Sequence, residues 1–135
     1  MSFVLAIDQG TSGTKAIVVD ESGAVLSLAE VALHPRYLDG GGVEQDPEAL
    51  FESVLVAGRR AVEQAAVPIS AVALANQGET VLAWDKATGR PLSAAIVWQD
   101  SRAQSVCNAR SDSGQRVAEL TGLVLDPYFS APKMR

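Results

Sequence analysis

Cysteine and histidine are almost absent from this chain, with Cys107 and His34 as the only examples among 135 residues. A single cysteine excludes an intrachain disulfide, and an unpaired thiol fits a reducing compartment. We interpret Cys107 as a small buried residue and not as a nucleophile, because no basic partner is evident near it in the sequence. His34 lies beside Pro35 without other residues at metal-ligand spacing, so we interpret it as a solvated loop residue.

Long apolar runs and clustered positive charge are also missing. No segment approaches the roughly 18 consecutive apolar residues that span a bilayer. The N-terminus lacks the basic region of a signal peptide, and its first apolar run breaks at Asp8. The formal charge is -5 and the basic residues are scattered, whereas nucleic-acid binders cluster them. We therefore expect a cytoplasmic protein that binds neither membranes nor nucleic acids.

The polar turn DQGTSGTK at residues 8–15 is the most informative stretch. It joins the apolar segments 3–7 and 16–19, which predicts a strand, a turn and a returning strand. Its residue types suit phosphate binding, since Lys15 supplies positive charge and Asp8 can orient Mg²⁺ or its waters. Hydrogen-bond donors could come from backbone N–H groups at Gly10 and Gly13 and from hydroxyls at Thr11, Ser12 and Thr14. The alternative is an ordinary hairpin whose Gly, Ser and Thr only make a turn.

The length and a 47% hydrophobic content fit one domain, or part of one. Residues 24–33 predict a third antiparallel strand. The stretch 34–47, with Pro35 and three successive glycines, predicts a loop. A helix should begin with Asp46 as N-cap and Pro47 at its first position, and end at Pro68. One apolar face of this helix should be core, formed by Leu50, Phe51, Val54, Leu55, Gly58, Ala61, Val62 and Ala65.

The second half of the chain predicts shorter elements. Residues 69–75 predict a mostly buried strand, with Asn76-Gln77-Gly78-Glu79 at its carboxyl end, where open α/β sheets bind ligands. Residues 80–84 and 94–98 predict two strands joined by a turn-rich loop. Short helices are expected at 100–109 and 115–120, and a helix start at 131–135.

Five segments stand out in order along the chain: DQGTSGTKA at 8–16, VEQDP at 43–47, NQGET at 76–80, AIVWQDSR at 95–102 and GLVLDPYFSAPK at 122–133. Together they resemble the FGGY carbohydrate kinases, and among them glycerol kinases most closely. The resemblance implies an α/β protein with the ribonuclease-H-like (actin-like ATPase) fold, a mixed β-sheet with flanking helices. Residues 1–135 would form a partial domain, the first half of the family's N-terminal domain, with the C-terminal nucleotide domain absent.

The resemblance also implies ATP-dependent phosphorylation of a polyol or sugar hydroxyl, with ATP and Mg²⁺ as cofactors. Asp8 would act with Mg²⁺, and the catalytic base would be an Asp beyond residue 135. Gly10, Thr11, Ser12 and Lys15 would face the ATP phosphates, and Gly78, Glu79, Trp98 and Tyr128 the substrate. Glu79 could accept hydrogen bonds from two hydroxyls, Trp98 could cover C–H edges, and the Tyr128 hydroxyl could bond an oxygen.

One position departs from the glycerol kinases, which carry an Arg where this chain has Gly78. One donor to the substrate is therefore missing and the pocket is roomier, while Asp100-Ser101-Arg102 and Ala131-Pro132-Lys133 resemble the pentulose kinases. We expect a glycerol- or pentulose-like small molecule as substrate. Without the resemblance, Trp98 and Tyr128 would be interpreted as core aromatics and Glu79 as a surface carboxylate.

Three interpretations follow. The chain is a piece of a kinase, itself inactive without the base; or a non-catalytic polyol- or nucleotide-binding module; or a piece of a non-sugar actin-like ATPase or chaperone. The last explains the opening turn but not NQGET, AIVWQDSR or DPYFS. A binding module predicts a folded monomer, whereas the incompletely covered sheet of a partial domain would favour self-association into a homo-oligomer.

Overall fold

The structure, a computed structural model, describes residues 1–135, which form two compact units. The first unit comprises residues 1–35 and 46–77, and the second comprises 36–45 and 78–135. None of the helices has the length and apolar character that crossing a bilayer requires. The elements are β1 (Val4–Gln9), β2 (Gly13–Val19), β3 (Val25–Ala32), β4 (Arg36–Leu38), β5 (Gly42–Gln45), α1 (Pro47–Ala65), β6 (Ala71–Asn76), β7 (Ala95–Ile96), α2 (Gln104–Asn108), α3 (Gly114–Thr121) and α4 (Ser130–Lys133).

The first unit is a four-stranded mixed sheet in the order β3-β2-β1-β6. The pairs β1–β2 and β2–β3 are antiparallel, which confirms the three predicted opening strands, and β6 pairs with β1 in parallel. Alternate residues of β1 and β2 point towards α1, because successive side chains of a strand face opposite sides. The resulting core contains Leu5, Ile7, Ala16, Val18, Ala29, Ala57 and Ala61.

Helix α1 begins as predicted, since an Asp46 carboxylate oxygen accepts hydrogen bonds from the backbone N–H groups of Glu48 and Ala49. The helix ends at Ala65, three residues before the predicted stop at Pro68. The next residue, Ala66, takes a left-handed conformation with φ of 51°. The predicted core face is partly wrong, because the Phe51 side chain is 65% exposed. The residues that are buried are small, namely Ser53, Ala57, Gly58 and Ala61.

Small residues let α1 lie close to the sheet. A Cβ atom at Gly58 would stand 3.4 Å from Ile7 Cδ1, so even an added methyl group would be in contact. Two hydroxyls also join the layers: Ser27 donates to the Ala61 carbonyl at 2.6 Å, and the Thr14 and Ser53 hydroxyls lie 2.7 Å apart. The predicted apolar face included Gly58 and Ala61 but not Ser53 and Ala57.

Strand β6 was predicted to be mostly buried, and this is wrong, since all six of its residues are exposed. It is an edge strand, and α1 packs over β1, β2 and β3. Val72 and Leu74 are 64% and 63% exposed. Together with α1 they border an apolar groove, whose other lining residues include Leu5, Ile7, Val54 and Val62.

The second unit contains an antiparallel sheet in the order β4-β5-β7. Strands β4 and β5 lie inside 34–47, so the prediction of a loop there is wrong. Gly40 and Gly41 have φ of 72° and 82° and form the turn of a β4–β5 hairpin. The predicted strands 80–84 and 94–98 shrink to β7 and two isolated bridges, Val81–Ile96 and Trp84–Pro91.

The three short helices lie where expected, although α2 and α3 differ from the predicted bounds and α4 begins one residue earlier. Gly122, in a left-handed conformation, ends α3. Cys107 is buried on α2, as predicted, and burial is the first cause that raises the pKa of its thiol, followed by the Asp126 charge. His34 is exposed.

Candidate active site

The predicted phosphate loop is a tighter turn than the sequence indicated. Strand β1 continues through Gln9 and β2 begins at Gly13, which leaves only residues 10–12 outside the strands. The Gly10 N–H donates to the Gly13 carbonyl at 2.9 Å, so this donor already has a partner within the turn. Asp8 and Lys15 are paired across the antiparallel register, and both are exposed.

The hydroxyls of this segment separate into different environments. Ser12 is exposed, whereas Thr14 is fully buried. Ser53 donates its hydroxyl hydrogen to the Leu50 carbonyl at 2.7 Å, and since a hydroxyl has one hydrogen, Thr14 must be the donor to Ser53. Thr14 therefore joins β2 to α1, and it is not available to a phosphate as the sequence suggested.

Thr11 connects the turn to the end of β6. Its hydroxyl donates to Gln77 Oε1 at 3.1 Å, and the Gln77 N–H donates to the Gln9 carbonyl at 2.8 Å. The parallel register pairs Gln9 with Asn76, so the carboxyl ends of β1 and β6 lie side by side. Gln77, which the sequence analysis placed at a ligand-binding strand end without a role of its own, is thus a neighbour of the predicted phosphate loop.

Charges near the turn suit a magnesium nucleotide. Lys15 Nζ lies 3.7 Å from a Glu30 carboxylate oxygen, and both side chains are more than half exposed, so this ion pair is weak. No group of three or more His, Cys, Asp and Glu residues could hold a metal ion by itself. Mg²⁺ often takes only one or two protein carboxylates and binds mainly to phosphates and water. Asp8 as a single carboxylate fits that mode.

In the second unit, Glu79 is held in a specific conformation. It has a left-handed backbone with φ of 60°, one of two non-glycine residues with positive φ, and such residues concentrate at functional sites. Its Oε2 atom accepts hydrogen bonds from the Ser130 N–H at 2.7 Å and the Ser130 hydroxyl at 2.8 Å. These bonds are the main cause that lowers the pKa of Glu79. The carboxylate is therefore ionised, and protein donors already engage one of its two oxygens.

Trp98 and Tyr128 meet in the same unit. Their ring centroids are 5.7 Å apart at an interplanar angle of 61°, an edge-to-face arrangement. The Tyr128 side chain is 42% exposed and Trp98 is half-buried, so Tyr128 is not a core aromatic. The main-chain N–H of Trp98 donates to the hydroxyl of Thr80, the residue after Glu79, at 3.2 Å. The geometry thus brings Glu79, Trp98 and Tyr128 into one cluster.

Lys133 also belongs to this cluster, although the sequence analysis assigned no role to it. Its ammonium group donates to the Trp98 carbonyl at 3.3 Å and to the Tyr128 carbonyl. It lies 5.9 Å from the centroid of the Tyr128 ring. Sequence reasoning could not find these bonds, because their acceptors are main-chain atoms.

Gly78 leaves open space beside Glu79. No atom lies within 4 Å of a Cβ atom placed on it, and its φ lies outside the left-handed region. A side chain at this position would meet neither steric nor backbone resistance. Neither packing nor backbone conformation therefore requires glycine at position 78.

Asp100, which is 2% exposed, anchors the segment that follows β7. It accepts hydrogen bonds from the Val43 N–H at 2.8 Å and from Arg102 Nε at 2.9 Å. Arg102 also pairs with Glu44 at 2.9 Å. Burial alone would raise the pKa of Asp100, but the bonds from Arg102 and Val43 outweigh it and lower this pKa.

Comparison with known proteins settles the family. The N-terminal domain of the FGGY family of carbohydrate kinases matches residues 3–135. The chain belongs to this family. A glycerol kinase from Cereibacter sphaeroides is 45% identical over 139 residues, which cover 100% of this chain and 28% of that protein.

Solved structures of FGGY kinases share the fold. A glycerol kinase from Plasmodium falciparum with ADP superposes with a TM-score of 0.90 at 30% identity, over 99% of this chain and 28% of that one. A xylulose kinase from Brucella ovis gives 0.85 at 29% identity, over 98% and 28%. The predicted fold class is confirmed: a partial FGGY N-terminal domain with the actin-like ATPase fold. The chain spans 28% of the length of each of these relatives.

Proposed function

We propose that the full-length protein containing this chain transfers a phosphoryl group from ATP to a hydroxyl of a polyol or sugar. Residues 1–135 would be the first half of its N-terminal domain. The observation that carries the proposal is the Glu79–Trp98–Tyr128 cluster, in a chain that belongs to a family of carbohydrate kinases. An ionised carboxylate, an aromatic face and a phenol hydroxyl are the groups that bind a polyhydroxylated carbon chain.

Substrate binding would use one Glu79 carboxylate oxygen, the Trp98 ring and the Tyr128 hydroxyl. Since Ser130 engages Glu79 Oε2, we assign substrate hydroxyls to Oε1. Trp98 would cover the C–H edges, and the exposed Tyr128 hydroxyl would bond a further oxygen. The fixed orientation of Glu79 favours substrates with a hydroxyl at one place, because an analogue without it leaves the carboxylate unpaired.

The nucleotide side would be the β1–β2 turn. Lys15, Ser12 and Thr11 would contact phosphates together with backbone at Gly10, and Asp8 would hold Mg²⁺ or its waters. Bound Mg²⁺–ATP supplies the phosphoryl group and a cation that offsets its charge. The base that accepts the substrate proton is expected beyond residue 135, so we propose that the 135-residue chain alone lacks kinase activity.

The substrate is proposed to be glycerol or a larger, pentulose-like molecule. Similarity to a glycerol kinase at 45% identity supports the first, and the empty space at Gly78 supports the second. The cluster itself suits both, because each presents neighbouring hydroxyls.

A polyol and ketose screen with the full-length protein tests the function, with Glu79→Gln as the diagnostic variant. Glutamine keeps the shape but loses the charge, so kcat/KM for the accepted substrate should fall on the order of 10- to 100-fold. Glu52→Gln, on the exposed side of α1, is the matched control and should retain full activity. Equal kcat/KM for the two variants would show that Glu79 does not contribute to substrate binding. Thermal stabilisation by a polyol without any turnover would instead support a non-catalytic binding module.

We also propose a reducing, cytoplasmic location, on the basis of the single buried thiol. The isolated chain is proposed to form homo-oligomers through the edge strand β6 and its apolar groove, since exposed edges recruit further strands. Analytical ultracentrifugation of the chain and of Val72→Lys measures this association, and equal mass for the two would refute the role of β6.

A further inference from the structure

We propose that Lys133 is a positioning residue of the polyol site, which holds the main chain at Trp98 and at Tyr128 so that the two rings face one substrate. The proposal deepens the kinase function and rests on it. Lys133 is the last residue of α4. The two segments that it joins are 30 residues apart in the sequence.

The contacts of Lys133 are specific to these two residues. An ammonium group has three N–H donors, and Lys133 directs two of them to main-chain carbonyls, of Trp98 at 3.3 Å and of Tyr128. It bonds no carboxylate and has no ion pair within 4 Å, so it is not a member of a surface ion pair. Fixing a carbonyl fixes the backbone from which its ring projects.

The rings confirm that both carbonyls belong to one local structure. The Trp98 and Tyr128 centroids are 5.7 Å apart, and Lys133 Nζ lies 5.9 Å from the Tyr128 centroid. A cation within about 6 Å of a ring centroid is attracted by the ring. Lys133 therefore restrains Tyr128 at both its backbone and its side chain.

Partial burial of the Lys133 ammonium group costs desolvation energy. This cost argues that its contacts with the two carbonyls are not incidental. Burial lowers the pKa of its ammonium group, and the carboxylates of Asp100, Glu79 and Asp126 only partly oppose this effect. A methionine would fill the same space without any desolvation of charge. Retention of the cation fits a need for two strong donors.

On the same short helix, Ser130 restrains Glu79 through its main-chain N–H and its hydroxyl. Helix α4 thus carries both connections: Ser130 at its start reaches Glu79, and Lys133 at its end reaches Trp98 and Tyr128. All three proposed substrate-binding residues are therefore held by contacts with one turn of helix. Displacement of this turn would disturb the whole polyol site.

The kinetic test uses Lys133→Met, Lys133→Arg and the control Lys86→Met, at an exposed lysine, in the full-length protein. We expect Lys133→Met to lower kcat/KM for the polyol on the order of 10- to 100-fold, mainly through KM. The KM for ATP should stay within about twofold, because only polyol-binding residues lose their support. Arginine should restore part of the loss, since it also offers several donors. Equal losses for ATP and polyol, or no loss, would overturn the proposal.

A second readout does not depend on catalysis. In the full-length protein every tryptophan other than Trp98, including Trp84, which is 61% exposed, is replaced by Phe so that Trp98 is the only indole. In this background Lys133→Met should increase the acrylamide quenching of Trp98, and substrate should no longer restore its protection. Unchanged quenching in a folded variant would refute positioning whatever the kinetics. If Lys133→Met does not fold, Lys133→Gln takes its place. Failure of the wild type to phosphorylate any polyol would refute the kinase function alone, and quenching would still decide on Lys133.

Discussion

Replacement of Gly78 by arginine is expected to shift substrate preference towards glycerol. The structure permits the change, because no atom lies within 4 Å of the new Cβ and the backbone at Gly78 is outside the left-handed region. The side chain would emerge directly before Glu79. It would supply the hydrogen-bond donor that the resemblance to glycerol kinases leads us to expect at this position.

The magnitude follows from one charge-assisted hydrogen bond. Such a bond contributes about 1.5–3 kcal/mol, equivalent to a rise of roughly 10- to 100-fold in kcat/KM for glycerol. The same side chain would occupy space that a larger ketose needs, so kcat/KM for a pentulose should fall. Since the position is unstrained, the free energy of unfolding should change by less than about 1 kcal/mol.

The assay compares kcat/KM for glycerol and for a pentulose in the full-length protein and its Gly78→Arg variant. Gly114→Arg is the matched control, because Gly114 also has open space and an ordinary φ of -58°. Only Gly78→Arg should change the ratio between the two substrates. A folded Gly78→Arg variant with an unchanged ratio would refute the reasoning that this position faces the substrate.

Two further predictions concern stability. In Gly13→Ala the new Cβ would lie 2.8 Å from the Val31 carbonyl oxygen, so urea unfolding should show a loss of about 1–3 kcal/mol, whereas Gly114→Ala should show no loss. Asp100→Asn should cost about 2–3 kcal/mol near pH 7, less than for a fully buried ion pair because Arg102 is 40% exposed. The folded-state pKa of Asp100 is lowered from 3.8, so its contribution is complete above that value and is lost as pH falls through the folded-state pKa. A difference between wild type and Asp100→Asn that stays constant from pH 7 to pH 2 would contradict this.

The sequence predicted those parts that depend on local chemistry. Asp46 and Pro47 specified the start of α1, and the β1–β2–β3 strands followed from apolar runs separated by polar turns. The β4–β5 hairpin was missed because we interpreted its glycines as part of a loop that interrupts regular structure. Two of them, Gly40 and Gly41, have positive φ and form the hairpin turn. The exposure of β6 could not be predicted, since an apolar strand has the same composition whether or not another layer covers it.

The candidate site was predictable to a similar extent. The resemblance to the FGGY kinases singled out Glu79, Trp98 and Tyr128, and the structure brings them together. Residue types alone suggested Thr14 as a phosphate ligand, although its hydroxyl is buried against α1. Lys133 was missed because main-chain acceptors leave no trace in a sequence.

The parallel pairing of β1 with β6 has a consequence for synthesis of the chain. On the ribosome, β1, β2 and β3 can form an antiparallel meander from residues 4–32 alone. The other edge of β1 stays unpaired until residues 71–76, which form β6, have been synthesised. At roughly 5–20 residues per second, that edge stays open for a few seconds, far longer than the microseconds that a hairpin needs. Strand β1, which leads into the predicted phosphate loop, is therefore the place where a nascent chain is most open to mispairing, and slowed translation before residue 71 would extend that interval.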